Sequence, residues 1–221
     1  MKPLLRATAF TLLVGLSLFV CLVSAYKYGV LPLSDPAHVA APGSPESKGW
    51  PLFLHVFSAM FALALGPFQF MSRVRAKAPR LHRVMGRLYL GLGIVAGGLA
   101  GLWLALHAFG GWPARTGFAC LALAWLYSGL RAYRAIRGGD VRSHRRWMIR
   151  NYALTCAAVT LRLQLPAALI GGIPFAVAYP CIAWLCWVPN ALVAELLLRR
   201  SSPVKGLKLS AAAAGVIGME S

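Results

Sequence analysis

His82 and His144 stand at matching places in two echoing stretches, Arg80-Leu81-His82-Arg83 with Arg87 and Tyr89, and Arg142-Ser143-His144-Arg145 with Arg150 and Tyr152. Paired neutral imidazoles on facing helices can hold haem iron from both sides, and nearby arginines can pair with propionates. Haem b held by His82 and His144 is therefore one expectation. Interfacial histidines bonded to lipid or backbone are the other. A second group, His55, Gln69, His107, Asn151, Thr155 and Arg162, places polar atoms in otherwise apolar stretches. Such atoms are costly in hydrocarbon and turn toward a bundle interior or a cavity, so these six form a candidate interior polar site.

Helical phase supports that grouping. At about 100° per residue, His82, Tyr89, Gly93, Ala100 and His107 share one line within roughly 20°. His144, Asn151, Thr155 and Arg162 share another if their helix is continuous, and His55, Ala62, Gly66 and Gln69 do so more loosely. Gly93, Gly97 and Gly101, at four-residue spacing, suit close helix packing. Arg162 lies in the outer half of its span, where a charge costs at least about 2.5 kcal/mol and calls for a partner, a watery pocket or snorkelling to lipid. Its possible neighbours are His55, His107, Asp35, Glu46 or a bound anionic group; Glu195 belongs to a different depth.

Six apolar stretches must position these residues: 7–26, 51–71, 84–107, 116–135, 147–170 and 174–198. Each is near the roughly 20 residues that cross a hydrocarbon core. The expected fold is an all-α integral membrane protein with six transmembrane helices, the second to fifth forming a four-helix bundle core. Nineteen of the 23 lysines and arginines fall in alternate connections, and only Lys27, Lys48 and Arg115 in the opposite ones. That asymmetry predicts an inner-membrane protein with both termini in the cytoplasm. Residues 1–26 read as an N-terminal anchor helix, although Val23-Ser24-Ala25 before Tyr26 also suits a secretory signal; the apolar run is long for one. Residues 27–50 read as an external loop, 51–198 as a five-helix membrane domain and 199–221 as a flexible cytoplasmic tail.

Composition narrows the function classes. With 59% hydrophobic and 13% charged residues, the net charge of +18 sits beside helix ends. There it meets anionic lipid on the cytoplasmic side, the expected partner, and no basic stripe interleaved with aromatics suggests nucleic acid. Cys21, Cys120, Cys156, Cys181 and Cys186 all lie in apolar stretches and read as buried thiols. Neither a metal-ligand spacing, a P-loop nor a nucleophile-base-acid set occurs, and no catalytic residue is nominated.

Gly66-Pro67-Phe68-Gln69-Phe70, Leu81-His82-Arg83 with Gly86-Arg87 and Tyr89, and the long string from Ser143-His144-Arg145-Arg146-Trp147 through Asn151-Tyr152 to Leu161-Arg162 carry a resemblance. They resemble the hallmark segments of a bacterial family of predicted membrane proteins, domain of unknown function family 2306. The resemblance spans about His55 to Glu195 and implies a multi-pass membrane protein without implying a reaction or ligand. The helix pattern is also similar to that of ascorbate-reducible b-type cytochromes, whose inner haem lies between the third and fifth helices; the fourth stretch here has no histidine for their second haem. The expected function is a non-enzymatic membrane protein, whether lipid-associated, a scaffold or a small-solute carrier. The alternative is a haem b electron-transfer protein, which would make any enzyme a membrane oxidoreductase.

Overall fold

The computed structural model describes residues 3–30 and 49–200. The connection holding Asp35 and Glu46 and the tail after Arg200 lie outside the described residues, and so do the expectations placed on them. Every described element is helical. Helix α1 (Pro3–Ala25) continues through a wider turn, Tyr26–Val30; α2 is Gly49–Phe70; α3 is the short Ser72–Lys77. Then come α4 (Pro79–Leu106), α5 (Gly111–Arg137), α6 (Val141–Ile170) and α7 (Phe175–Arg200).

Five of these, α1 from Phe10 onward, α2, α4, α6 and α7, are long and apolar enough to cross a membrane. The 27-residue α5 is long enough but more polar, because Trp125, Tyr127, Ser128 and Arg131 interrupt its apolar run. The sequence expectation of six spans is thus met by five.

From α2 onward the connections between successive long helices are short, so these neighbours run antiparallel. Gly138-Gly139 turns the chain from α5 to α6 with Gly139 at φ +77°, a conformation that suits glycine, and Asp140 caps α6 by accepting from the Ser143 N–H at 2.8 Å. At the other end of α2, the Arg75 guanidinium caps by donating to the Gln69 and Phe70 carbonyls at 3.2 and 2.9 Å. Arginines gather at this end of the molecule, which we call the arginine-rich end. Helix α2 packs on α4 and α6, α5 packs on α4 and α6, α1 rests on α2 and α6, and α7 rests on α5 and α6.

Glycines set the closest approaches. A Cβ at Gly93 would meet Ala62, one at Gly97 would meet Ser58, and one at Gly101 would meet His55. The four-residue glycine run of α4 thus receives a matching run of α2 in the antiparallel sense, which is the small-residue packing of membrane helices.

Two of the predicted helical lines bend. Residues Tyr89–Ala96 of α4 form a π-helical stretch, whose i→i+5 bonding takes more residues per turn than an α-helix. The phase slips, and His107 emerges exposed at the arginine-poor end with its ring on Trp103 at 4.3 Å. Helix α6 breaks at Cys156, which ends one α-helical segment and begins the next. Beyond that break Arg162 reaches α1, where it bonds Ser24.

Prolines free carbonyls, and each of two is claimed by a side chain. Pro67 has no N–H to give the carbonyl of Leu63, and the Tyr152 hydroxyl donates to it at 3.2 Å. Pro189 leaves the carbonyl of Leu185 without its helical donor, and Gln164 Nε2 donates there at 3.2 Å.

Candidate functional site

Polar side chains gather at three depths, and the one nearest the arginine-poor end borders a cavity. The middle layer is a closed hydrogen-bonded network joining α4, α5 and α6. Asn151, wholly buried, donates through Nδ2 to the Trp125 carbonyl and to Ser128 Oγ, both at 2.8 Å. Its Oδ1 accepts from the Tyr89 hydroxyl at 2.7 Å. Thr155 Oγ1 accepts from Trp125 Nε1 at 2.8 Å and donates to the Asn151 carbonyl at 3.0 Å. Each polar atom of Asn151 and Thr155 is engaged. A satisfied network of this kind fixes helix register and leaves nothing to offer a ligand.

Above that floor lies a cavity of about 300 Å³, walled mainly by apolar side chains of α1, α2, α4, α5, α6 and α7. Thr155 and Trp125 close its base, and Leu52, Ala108 and Tyr28 mark its upper reach. The volume is at the lower end of small-molecule pockets. His55, Arg162, Ser24, Tyr28 and Tyr179 are among the polar residues that line it.

His55 is seated by two glycines of α4. Its Nδ1 lies 2.8 Å from the Gly97 carbonyl, and the ring occupies the place of a side chain at residue 101. A carbonyl can only accept, so Nδ1 carries the proton, and neutral His55 presents a bare Nε2 lone pair. Arg162 donates from Nη1 to the Ala158 carbonyl and from Nη2 to Ser24 Oγ, both at 3.0 Å. Its charge is near enough to bear on His55. Among the described residues no carboxylate pairs with Arg162. Glu195, at the arginine-rich end, forms a two-pronged pair with Arg150 at 2.9 and 3.1 Å. A guanidinium has five N–H donors, and the two bonds to neutral oxygens leave three without a partner among the described residues.

At the arginine-rich end stand Gln69, His82 and His144. His144 Nδ1 lies 2.8 Å from the Ala132 carbonyl of α5, a backbone bond of the kind expected for an interfacial histidine. His82 is near enough to His144 for their charges to interact, and its Nδ1, like Nε2 of Gln69, is buried without a partner among the described residues. Neither histidine lines the cavity.

The structure thus brings together His55, Arg162 and Thr155 of the six sequence candidates. Asn151 lies in the floor, Gln69 at the opposite end, and His107 outside. Sequence reasoning missed Ser24, Tyr28, Trp125 and Ser128. A signal existed for the first: Ser17 and Ser24, seven residues apart, lie on one face of α1, and both are buried. No group of three or more histidine, cysteine or acidic side chains suited to a metal occurs among the described residues.

Comparison with curated proteins and with solved structures gives no match. The family model described as a predicted membrane protein, DUF2306, matches residues 52–198. That span includes the floor, the glycine run and both polar arms of the cavity contributed by α2 and α6, while Ser24 precedes it. With more than half of its length matched, the chain belongs to this family of predicted membrane proteins.

Proposed function

We propose that this is a non-enzymatic protein of a bacterial inner membrane that seats one small amphiphile in the cavity at the arginine-poor end. The observation that carries the reading is the cavity itself, apolar along its walls and polar at His55 and Arg162, and bounded by helices long and apolar enough to cross a membrane. A molecule with an apolar chain and a hydrogen-bonding head matches both surfaces.

In this reading the chain crosses the bilayer six times with both termini in the cytoplasm, and α2, α4, α5 and α6 form the four-helix core. The cation asymmetry supports the orientation. The 27 residues of α5 span about 40 Å at 1.5 Å each, and Trp125 and Ser128 turn their polar atoms inward to Thr155 and Asn151 of α6, which supports its counting as a span. Anionic lipid meets the arginine-rich end, where Arg131 and Arg150 lie over Trp147 at 4.9 and 4.7 Å, a cluster suited to the headgroup zone.

The test is binding of a single-chain probe to protein in phosphatidylcholine nanodiscs. Dodecanol should bind saturably, and Ala122→Phe, which fills the cavity from α5, should remove that binding while leaving the thermal midpoint in place. Saturable binding unaffected by Ala122→Phe would place the amphiphile elsewhere and defeat the reading.

A further inference from the structure

The cavity's two polar arms differ in what they ask of a ligand, and the difference specifies a head group. Arg162 offers only donors and a positive charge. Its bonds go to Ala158 O and Ser24 Oγ, both neutral, so its charge is uncompensated among the described residues. A cation at this depth needs a counter-charge or water. His55 asks for the opposite. With its proton committed to the Gly97 carbonyl, Nε2 is an acceptor and wants a donor from the ligand. Tyr28 also lines the cavity.

A carboxylate meets only half of these requirements, because its oxygens accept from Arg162 but present no proton to His55. A neutral alcohol also meets half, since its hydroxyl donates to His55 and leaves the guanidinium charge uncompensated. A singly protonated phosphate monoester meets both: an anionic oxygen for Arg162, where guanidinium and phosphate geometry match, and a P–OH for His55.

We propose that the cavity binds a single-chain phosphate monoester, its phosphate held between Arg162 and His55 and its chain along the apolar wall toward Leu63. The phosphate enters as a monoanion and no covalent step is involved. This inference rests on the amphiphile reading above and adds the head group. The glycines serve it directly. Any side chain at residue 101 would strike the His55 ring, and Gly97 supplies the carbonyl that sets the tautomer.

The experiment uses full-length protein in phosphatidylcholine nanodiscs, titrated with dodecyl phosphate, dodecanoate, dodecanol and inorganic phosphate. Wild type should bind dodecyl phosphate at least tenfold more tightly than dodecanoate or dodecanol, with inorganic phosphate weaker still. Arg162→Gln should erase the preference for dodecyl phosphate over dodecanol while dodecanol binding persists. His55→Phe should bring dodecyl phosphate and dodecanoate level.

If Arg162→Gln does not fold, His55→Phe and Ser24→Ala read the same ranking. Equal affinity for dodecanol and dodecyl phosphate in wild type would overturn the inference and leave the amphiphile reading standing. Failure of all three chain probes would remove both. Inorganic phosphate binding as tightly as dodecyl phosphate would overturn the amphiphile and leave a free-anion site. A phosphate preference that emerges only after Asp35→Asn or Glu46→Gln would overturn it as well, by placing the partner of Arg162 within the chain.

Discussion

The ring of Tyr152 occupies the space that a side chain at residue 66 would need, so α6 packs against α2 at Gly66. A single methyl there would overlap the ring, which Ser17 and Leu63 hold by its hydroxyl. Gly66→Ala should therefore destabilise the protein by about 1–3 kcal/mol or more, the usual range for overpacking. Thermal unfolding in detergent reads this as a midpoint several degrees lower, and an unchanged midpoint would mean that the two helices do not meet here.

Tyr152 and Pro67 make a second, separable prediction. Because Pro67 leaves the Leu63 carbonyl without its helical donor, Tyr152→Phe exposes an unpaired carbonyl and should cost about 1 kcal/mol, within the range for hydrogen bonds inside membrane proteins. In a Pro67→Ala background the alanine N–H can reclaim that carbonyl, so Tyr152→Phe should cost less. A double-mutant cycle with no coupling between the two sites would refute the pairing.

Packing along the glycine run of α4 predicts an asymmetry between neighbours. A Cβ at Gly97 already lies 3.0 Å from Ser58 Cβ, and the branches of leucine must go beyond it, whereas Leu99 is 57% exposed on the outer face. Gly97→Leu should lower the thermal midpoint much more than Leu99→Ala. Equal midpoints would argue that the run faces lipid.

Much of this was legible in the chain, and the failures have physical causes. The glycine spacing foretold close packing along α4 because period and residue size suffice for it, but not that α2 would supply the partner. A proline frees a carbonyl by its chemistry alone, but which side chain claims that carbonyl depends on tertiary contact. His107 was misplaced because a phase argument assumes a constant turn, and the π-helical stretch Tyr89–Ala96 violates it. Likewise Asn151, Thr155 and Arg162 fell on one line, yet the break at Cys156 separates a satisfied network from a cavity cation. Ser24 was overlooked because α1 reads as an anchor, and an anchor is scanned for length and flanking charge, not for a buried face.

Helix α5 decides the topology, being the one long helix whose composition leaves its crossing to be tested. Reporters fused after Arg75, Gly138 and Arg200 should be active only in the cytoplasmic form, and one inserted at Gly43 only in the external form. A reporter at Gly110 should also give the external form. Labelling of a cysteine placed at Gly138 by a reagent that cannot cross the membrane would put both ends of α5 on one side and reduce the spans to five.

The last prediction separates floor from site. Asn151→Leu keeps the volume of the side chain but takes one partner each from the buried Tyr89 hydroxyl, Ser128 hydroxyl and Trp125 carbonyl, leaving Tyr89 only Thr155 and the other two only each other. Each lost hydrogen bond is worth about 0.5–1.5 kcal/mol, so a loss of a few kcal/mol and a lower thermal midpoint are expected. If the network is only a floor, the surviving folded fraction should bind dodecyl phosphate with the same ranking over dodecanol as wild type. Arg162→Gln should do the reverse, losing the ranking at nearly unchanged stability because glutamine can still donate to Ser24. Should Asn151→Leu erase the ranking at a temperature where the protein remains folded, the network would be part of the site and its polar atoms would have to reorganise around the ligand.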